Sequence, residues 1–184
     1  MQRKTVSSES RQIAAARERL RRRYRPGRVR LLFVGESPPA SGRFFYRADS
    51  GLYRAIRQAF LSAFPSLTDA DFLESFRKLD SYLVDLCGSP VDRLTRKERR
   101  LACSRGEARL ATIIRRLNPE VVVTVVRSIA GNVRRAQSRA EWQGTYLELP
   151  YPGRWENHRV AFERALVPVL RRTLRNHWGR RGLA

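Results

Sequence analysis

Four short apolar runs punctuate this chain, and helical patterns fill the spaces between them. The first run, Val29 to Val34, is too short for a helix and is stopped by Gly35, so it reads as a strand buried on both faces. Ser81 to Leu86 is the second. Glu120 to Val126 is the clearest, β-branched throughout with no charge after Glu120, and Thr145 to Leu149 is a shorter fourth. Before the first strand, Ile13, Ala16, Leu20 and Tyr24 share one helical face over Glu9 to Tyr24, arginines fill the rest, and Pro26-Gly27 ends the pattern.

The remaining helices carry their own start and stop signals. Ser50 can cap a helix in which Leu52, Ile56, Phe60 and Ala63 recur at helical spacing until Pro65. Thr68 is placed to cap a short helix bearing Phe72, Leu73 and Phe76. Thr95 and Glu98 have the spacing of a capping box and open a long helix to about Leu117, broken by Asn118-Pro119. Ser128 to Ala136 reads as a helix. The last helix runs from about Glu156 to His177, and Pro168 inside it is expected to kink or interrupt it.

Strand and helix alternate, which predicts a three-layer α/β/α fold around a central four-stranded parallel sheet. Residues 1–28 read as a basic helix and linker, 29–178 as a single α/β domain, and 179–184 as a basic tail. In such a fold the segments following the strands share one edge of the sheet, and ligands bind there. Glu36, Asp85, Arg127 or Ser128, and the stretch from Tyr151 to His158 are therefore expected to be neighbours. The segment after the first strand is the richest: Glu36, the rigid Pro38-Pro39 pair, a permissive Gly42, and the rings of Phe44, Phe45 and Tyr46, which look exposed at that edge.

Charge changes the picture. The chain has 38 Lys and Arg against 17 Asp and Glu, a net +21, nearly all of it arginine. A polyanionic partner is implied, with nucleic acid first; the bland reading is scattered basic charge. Two cysteines, Cys87 and Cys103, lack C-x-x-C spacing and cannot supply four ligands to zinc or an iron–sulfur cluster. No metal or cofactor is expected. The cysteine usage fits a reducing cytoplasm, no apolar run is long enough for a membrane, and a monomer is expected.

Gly35-Glu36-Ser37-Pro38-Pro39, then Gly42-Arg43-Phe44-Phe45 and a helix, then Leu83-Val84-Asp85-Leu86-Cys87, Pro119 to Arg127, and Leu149-Pro150-Tyr151-Pro152-Gly153-Arg154 form an ordered set. This set resembles the motifs of the uracil-DNA glycosylase superfamily, nearest to its fourth family and small bacterial relatives, over about Val29 to Leu174. The departures are Pro39 for a Gly, Asp85 for the uracil-reading Asn, Tyr151 for the motif His, and the absence of the cluster cysteines.

The resemblance implies a hydrolase of DNA repair that excises a flipped base. Glu36 is then the carboxylate beside the sugar. Phe44 or Phe45 stacks on the base, and Asp85 reads its edge. Tyr151 or His158 donates to the leaving base. Arg43, Arg127, Arg154 and Arg159 lie along phosphates, and Trp155 or Arg154 fills the gap in the duplex. Each has a plainer role open to it. Glu36 could cap a helix or pair with Arg43, Asp85 could cap a turn before Gly88, Tyr151 could merely pack, His158 could sit on a solvated face, and Cys87 could be a small core residue. Three functions remain open: a DNA glycosylase, a nucleic-acid-binding protein that has lost hydrolysis, and an N-glycoside hydrolase acting on a small nucleotide. An Asp at position 85 predicts that plain uracil is a poor substrate: basic surroundings, with Arg127 close, are expected to lower its pKa and keep it ionised, and an ionised carboxylate offers acceptors only.

Overall fold

The computed structural model describes residues 8–67, 71–153 and 155–180. Among them the elements run in the expected alternation: α1 (Ser8–Arg23), β1 (Leu31–Gly35), α2 (Gly51–Ala63), α3 (Phe72–Lys78), β2 (Ser81–Asp85), α4 (Arg96–Leu117), β3 (Val121–Thr124), α5 (Ala130–Ala140), β4 (Thr145–Glu148) and α6 (Glu156–Arg180). The four strands form one parallel sheet in the order β2-β1-β3-β4. Helix α2 packs on α6 and α4 on α5, giving the three-layer α/β/α arrangement. No helix among the described residues is long and apolar enough to cross a membrane.

Local chemistry explains most boundaries. Ser50 caps α2 by accepting from the Tyr53 N–H, and Thr95 and Glu98 make the reciprocal capping box of α4. Asn118 ends α4 in the left-handed conformation, with φ 41°. Thr68 lies outside the described residues; the side chain that caps α3 is Asp71, which accepts from Glu74 N–H. The interruption expected at Pro168 does not occur. Helix α6 runs through this exposed residue, held by Phe162, Leu166, Val169 and Leu170 buried on either side of it. That packing offsets the hydrogen bond a proline cannot make.

The core is centred on β1, whose residues are all buried. Beneath it Phe33 meets Phe60 and Phe76, and Phe72 closes the cluster. A second buried device joins α4 to α5. The Glu107 carboxylate, 2% exposed, takes hydrogen bonds from Asn132 at 2.8 Å and Arg135 at 2.9 Å. Helix α1 is also tied to the domain: Tyr24 stacks on Tyr46 with centroids 5.9 Å apart, and Leu20 packs on the core.

Strand β2 is an edge strand, and Tyr46 serves its backbone. The Tyr46 hydroxyl accepts from Leu83 N–H at 2.8 Å and donates to the Leu83 carbonyl at 3.0 Å. A buried residue thus satisfies two main-chain groups that no neighbouring strand reaches. Tyr46→Phe is expected to lower the unfolding free energy by about 2 kcal/mol, since both groups lose their partner. Urea denaturation checks this: the midpoint falls at constant slope, and an unchanged midpoint contradicts the role.

Candidate active site

A cavity of about 320 Å³ opens at the carboxyl ends of β1, β2 and β3. Chain order explains its place. From β1 the chain steps to β2 on one side, and β3 then lies on the other, so the crevice between β1 and β3 is the topological switch point where open α/β sheets take ligands. Gly35 and Glu36 line it from β1 and Val125 and Val126 from beyond β3. Asp85 enters from β2 and Tyr151 from beyond β4.

Glu36 is fixed twice. Its carbonyl accepts from Cys87 N–H at 2.8 Å, which continues the β1–β2 ladder past the strands. Its carboxylate, with a side chain 14% exposed, is gripped by the Arg99 guanidinium: Nε donates to Oε1 at 2.6 Å and a terminal nitrogen donates to Oε2. The sequence considered Arg43 as a partner; Arg43 is exposed, and the partner is Arg99, delivered by the first turn of the capped helix α4. This bidentate grip holds Arg99 above its ordinary value. Cys103 Sγ lies 3.8 Å from Glu36 Oε1 and 3.7 Å from Cys87 Sγ. Burial pushes the Cys87 thiol up to about 12 and raises Cys103 as well, so both remain thiols at neutral pH. Cys87 is the small core residue its plainer reading suggested.

Asp85 sits buried at the end of β2, and its Oδ2 accepts from an Arg21 terminal nitrogen at 2.7 Å. Its Oδ1 lies 2.9 Å from where a Cβ on Gly35 would stand, so a side chain at the end of β1 would push Asp85 aside. Burial raises the Asp85 carboxyl above its ordinary value, while Arg21, Arg109 and Arg17 pull it back without cancelling the rise. This corrects the expectation that basic surroundings, with Arg127 close, would lower it. Arg127 is exposed in a 3₁₀ turn after β3, and the guanidiniums that act on Asp85 come from α1 and α4.

The two candidate stacking rings line the cavity but are not exposed: Phe44 and Phe45 are 2% and 3% exposed. Phe45 is wedged among Tyr46, Tyr53 and Phe76, and Arg21 lies 5.5 Å over the Phe44 ring. Their presentation depends on Gly42, which turns the chain at φ 81°. Tyr151 stands at the mouth, half exposed.

The other sequence candidates lie apart. His158 is exposed on the first turn of α6, beside Gly153, and is not in the cavity wall. Trp155 and Arg159 are exposed at the start of α6, and Arg154 lies outside the described residues. Sequence reasoning missed Arg99, Arg21 and Asp92. Asp92 lines the cavity and pins its rim by accepting from Ala40 N–H at 3.0 Å. Among the described residues, no group of three or more His, Cys, Asp or Glu side chains is arranged to hold a metal ion.

The arrangement can therefore offer a fixed carboxylate, a buried acid raised above its ordinary value, two rings in the wall and a phenol at the mouth. The sequence matches no known family model and no curated protein.

The pair Arg21–Asp85 has a pH signature. A buried acid whose folded-state value is raised opposes folding as pH climbs from the ordinary carboxylate range through that raised value. Arg21→Gln leaves the carboxylate buried without its charge partner, which is expected to cost about 3–5 kcal/mol at neutral pH and less in acid, where Asp85 takes up a proton. Urea midpoints of parent and variant across that range check the sign. A loss that is the same at both ends contradicts it.

Proposed function

We propose that this chain binds DNA and hydrolyses the N-glycosidic bond of an altered base flipped into the cavity beneath Tyr151. The observation that carries the reading is the meeting of Glu36, Asp85, Phe44 and Phe45 in one wall at the β1/β3 switch point. They are the residues that the ordered resemblance to uracil-DNA glycosylases assigns to catalysis and base binding. The net charge of +21 supplies the attraction to a polyanion that such an enzyme needs.

In this reading the arginine-rich exterior holds phosphates, and the base leaves its stack for the cavity. The Phe44 and Phe45 edges contact it there. Positive charge grows on the sugar as the bond breaks, the Glu36 carboxylate lowers the energy of that state, and water adds to the sugar carbon, releasing a proton while the leaving base takes one up. Arg99 keeps the Glu36 carboxylate aimed. The Tyr151 hydroxyl donates to the departing base when DNA covers the mouth. Asp85 reads the base edge: ionised it accepts from an amino group, and protonated it can donate to a carbonyl.

One observation favours a second reading, a nucleic-acid-binding protein without hydrolysis. Both Glu36 oxygens are engaged by Arg99, which leaves the carboxylate less negative toward a sugar. Glu36→Gln separates the two. If the chain is a glycosylase, abasic-site formation in base-modified oligonucleotides falls by about a hundredfold or more, within the range for loss of one electrostatic catalytic group, while oligonucleotide binding is retained. Equal rates in parent and variant remove Glu36 from the chemistry.

Asp85 sets base choice. Uracil excision by the parent is expected to be slow at neutral pH and to rise as pH falls toward the raised Asp85 value, because the neutral acid gains a donor. Asp85→Asn should excise uracil faster than the parent at neutral pH and lose that pH dependence. Efficient parental uracil excision that is indifferent to the substitution contradicts the assignment.

A further inference from the structure

A second cavity, also about 320 Å³, lies between α1 and α4 on the far side of the Arg21–Asp85 pair. Its walls carry Arg21, Arg22 and Arg25 from α1 and the turn after it, and Arg109 and Arg116 from one face of α4, two turns apart. Five guanidiniums face one carboxylate, Glu18. Glu18 is already used: it accepts from Arg21 at 2.7 Å and from Arg22 Nε at 3.2 Å, which orients these two arginines rather than neutralising the group.

Two further details distinguish this cavity from an ordinary solvated basic face. Arg21 is half-buried, and its buried Nε has no acceptor among the described residues. Arg109 is steered by the carbonyls of Asp85 and Leu86 into a place where burial and then repulsion from Arg21 hold it below its ordinary value. Like charges pressed together in a partly enclosed groove are unfavourable unless an anion joins them. Arginine forks match tetrahedral oxyanions by paired hydrogen bonds.

We propose that the groove between α1 and α4 is a binding site for phosphate groups, distinct from the cavity at the β1/β3 switch point. The assignment does not rest on base excision and stands whether or not Glu36 is catalytic. Two sources share the chemistry: a phosphodiester of nucleic acid, and the phosphate of a free nucleotide or diphosphate. Arg21 lines this groove and also binds Asp85, which lines the inner cavity, so a bound phosphate shares the guanidinium that holds Asp85.

The test uses the full chain and an Arg25→Gln/Arg116→Gln double variant, both positions being exposed and outside the base cavity. Inorganic pyrophosphate is titrated calorimetrically, and a short single-stranded oligonucleotide is titrated by fluorescence anisotropy over a salt series. Arg54→Gln, an exposed arginine on α2, serves as the charge control. Saturable pyrophosphate binding that weakens at least about tenfold in the double variant, near 1.4 kcal/mol, supports a site for free phosphates. A log–log salt slope shallower by about 1.4, two single-strand phosphate contacts, supports a site for the nucleic-acid backbone. The proposal is overturned if neither change occurs, or if Arg54→Gln produces the same change.

Discussion

A single ion pair, Arg21 to Asp85, connects the N-terminal helix, the sheet and the candidate site. Asp85 ends β2 with its carboxylate buried, and such a group is tolerated only with a charge partner or a proton. Arg21 is that partner. It reaches from α1, crosses the Phe44 ring, and closes on Oδ2 at 2.7 Å. This contact joins the N-terminal helix to the sheet, braces one ring of the cavity wall, and separates an inner cavity from an arginine-lined groove. The basic helix is thus part of the site rather than an appendage.

The sheet order does the rest of the positioning. With β2 and β3 on opposite sides of β1, the ends of these strands converge on one crevice. Glu36 is placed by the ladder that continues into Cys87, and its carboxylate is aimed by Arg99 from the capped start of α4. Three acids, Glu36, Asp85 and Asp92, line the inner cavity, while the chain carries a net +21. That contrast suits a surface that gathers a polyanion and a pocket that receives an uncharged base.

Much of this was legible in the sequence, for identifiable reasons. Gly35 and the apolar run before it marked β1, and the rule that ligands gather at the carboxyl edge brought Glu36, Asp85 and Tyr151 together from distant positions. Thr95 and Glu98 announced α4 through local hydrogen bonds alone. What failed was long-range. Arg99 and Arg21 each sit among several arginines on a helix with nothing local to single them out. Their partners lie 63 and 64 residues away, respectively. Tyr46 looked like one of three rings at the edge, but its place under β2 depends on which strand is left unpaired. The direction of the Asp85 shift was missed because counting nearby charges ignores desolvation, which here is the larger effect. His158, offered as a second donor beyond the last motif, sits on the solvated face its plainer reading suggested.

The central claim, that the inner cavity excises an altered base from DNA, meets its most direct test in one panel on the unmodified protein. Oligonucleotides bearing uracil, hypoxanthine, xanthine or mismatched bases, single- and double-stranded, are incubated at low salt and scored for abasic sites. The account predicts abasic sites at one or more altered bases, with uracil among the poorer substrates at neutral pH. Tight, salt-sensitive binding to every oligonucleotide with no abasic site in any of them would contradict it.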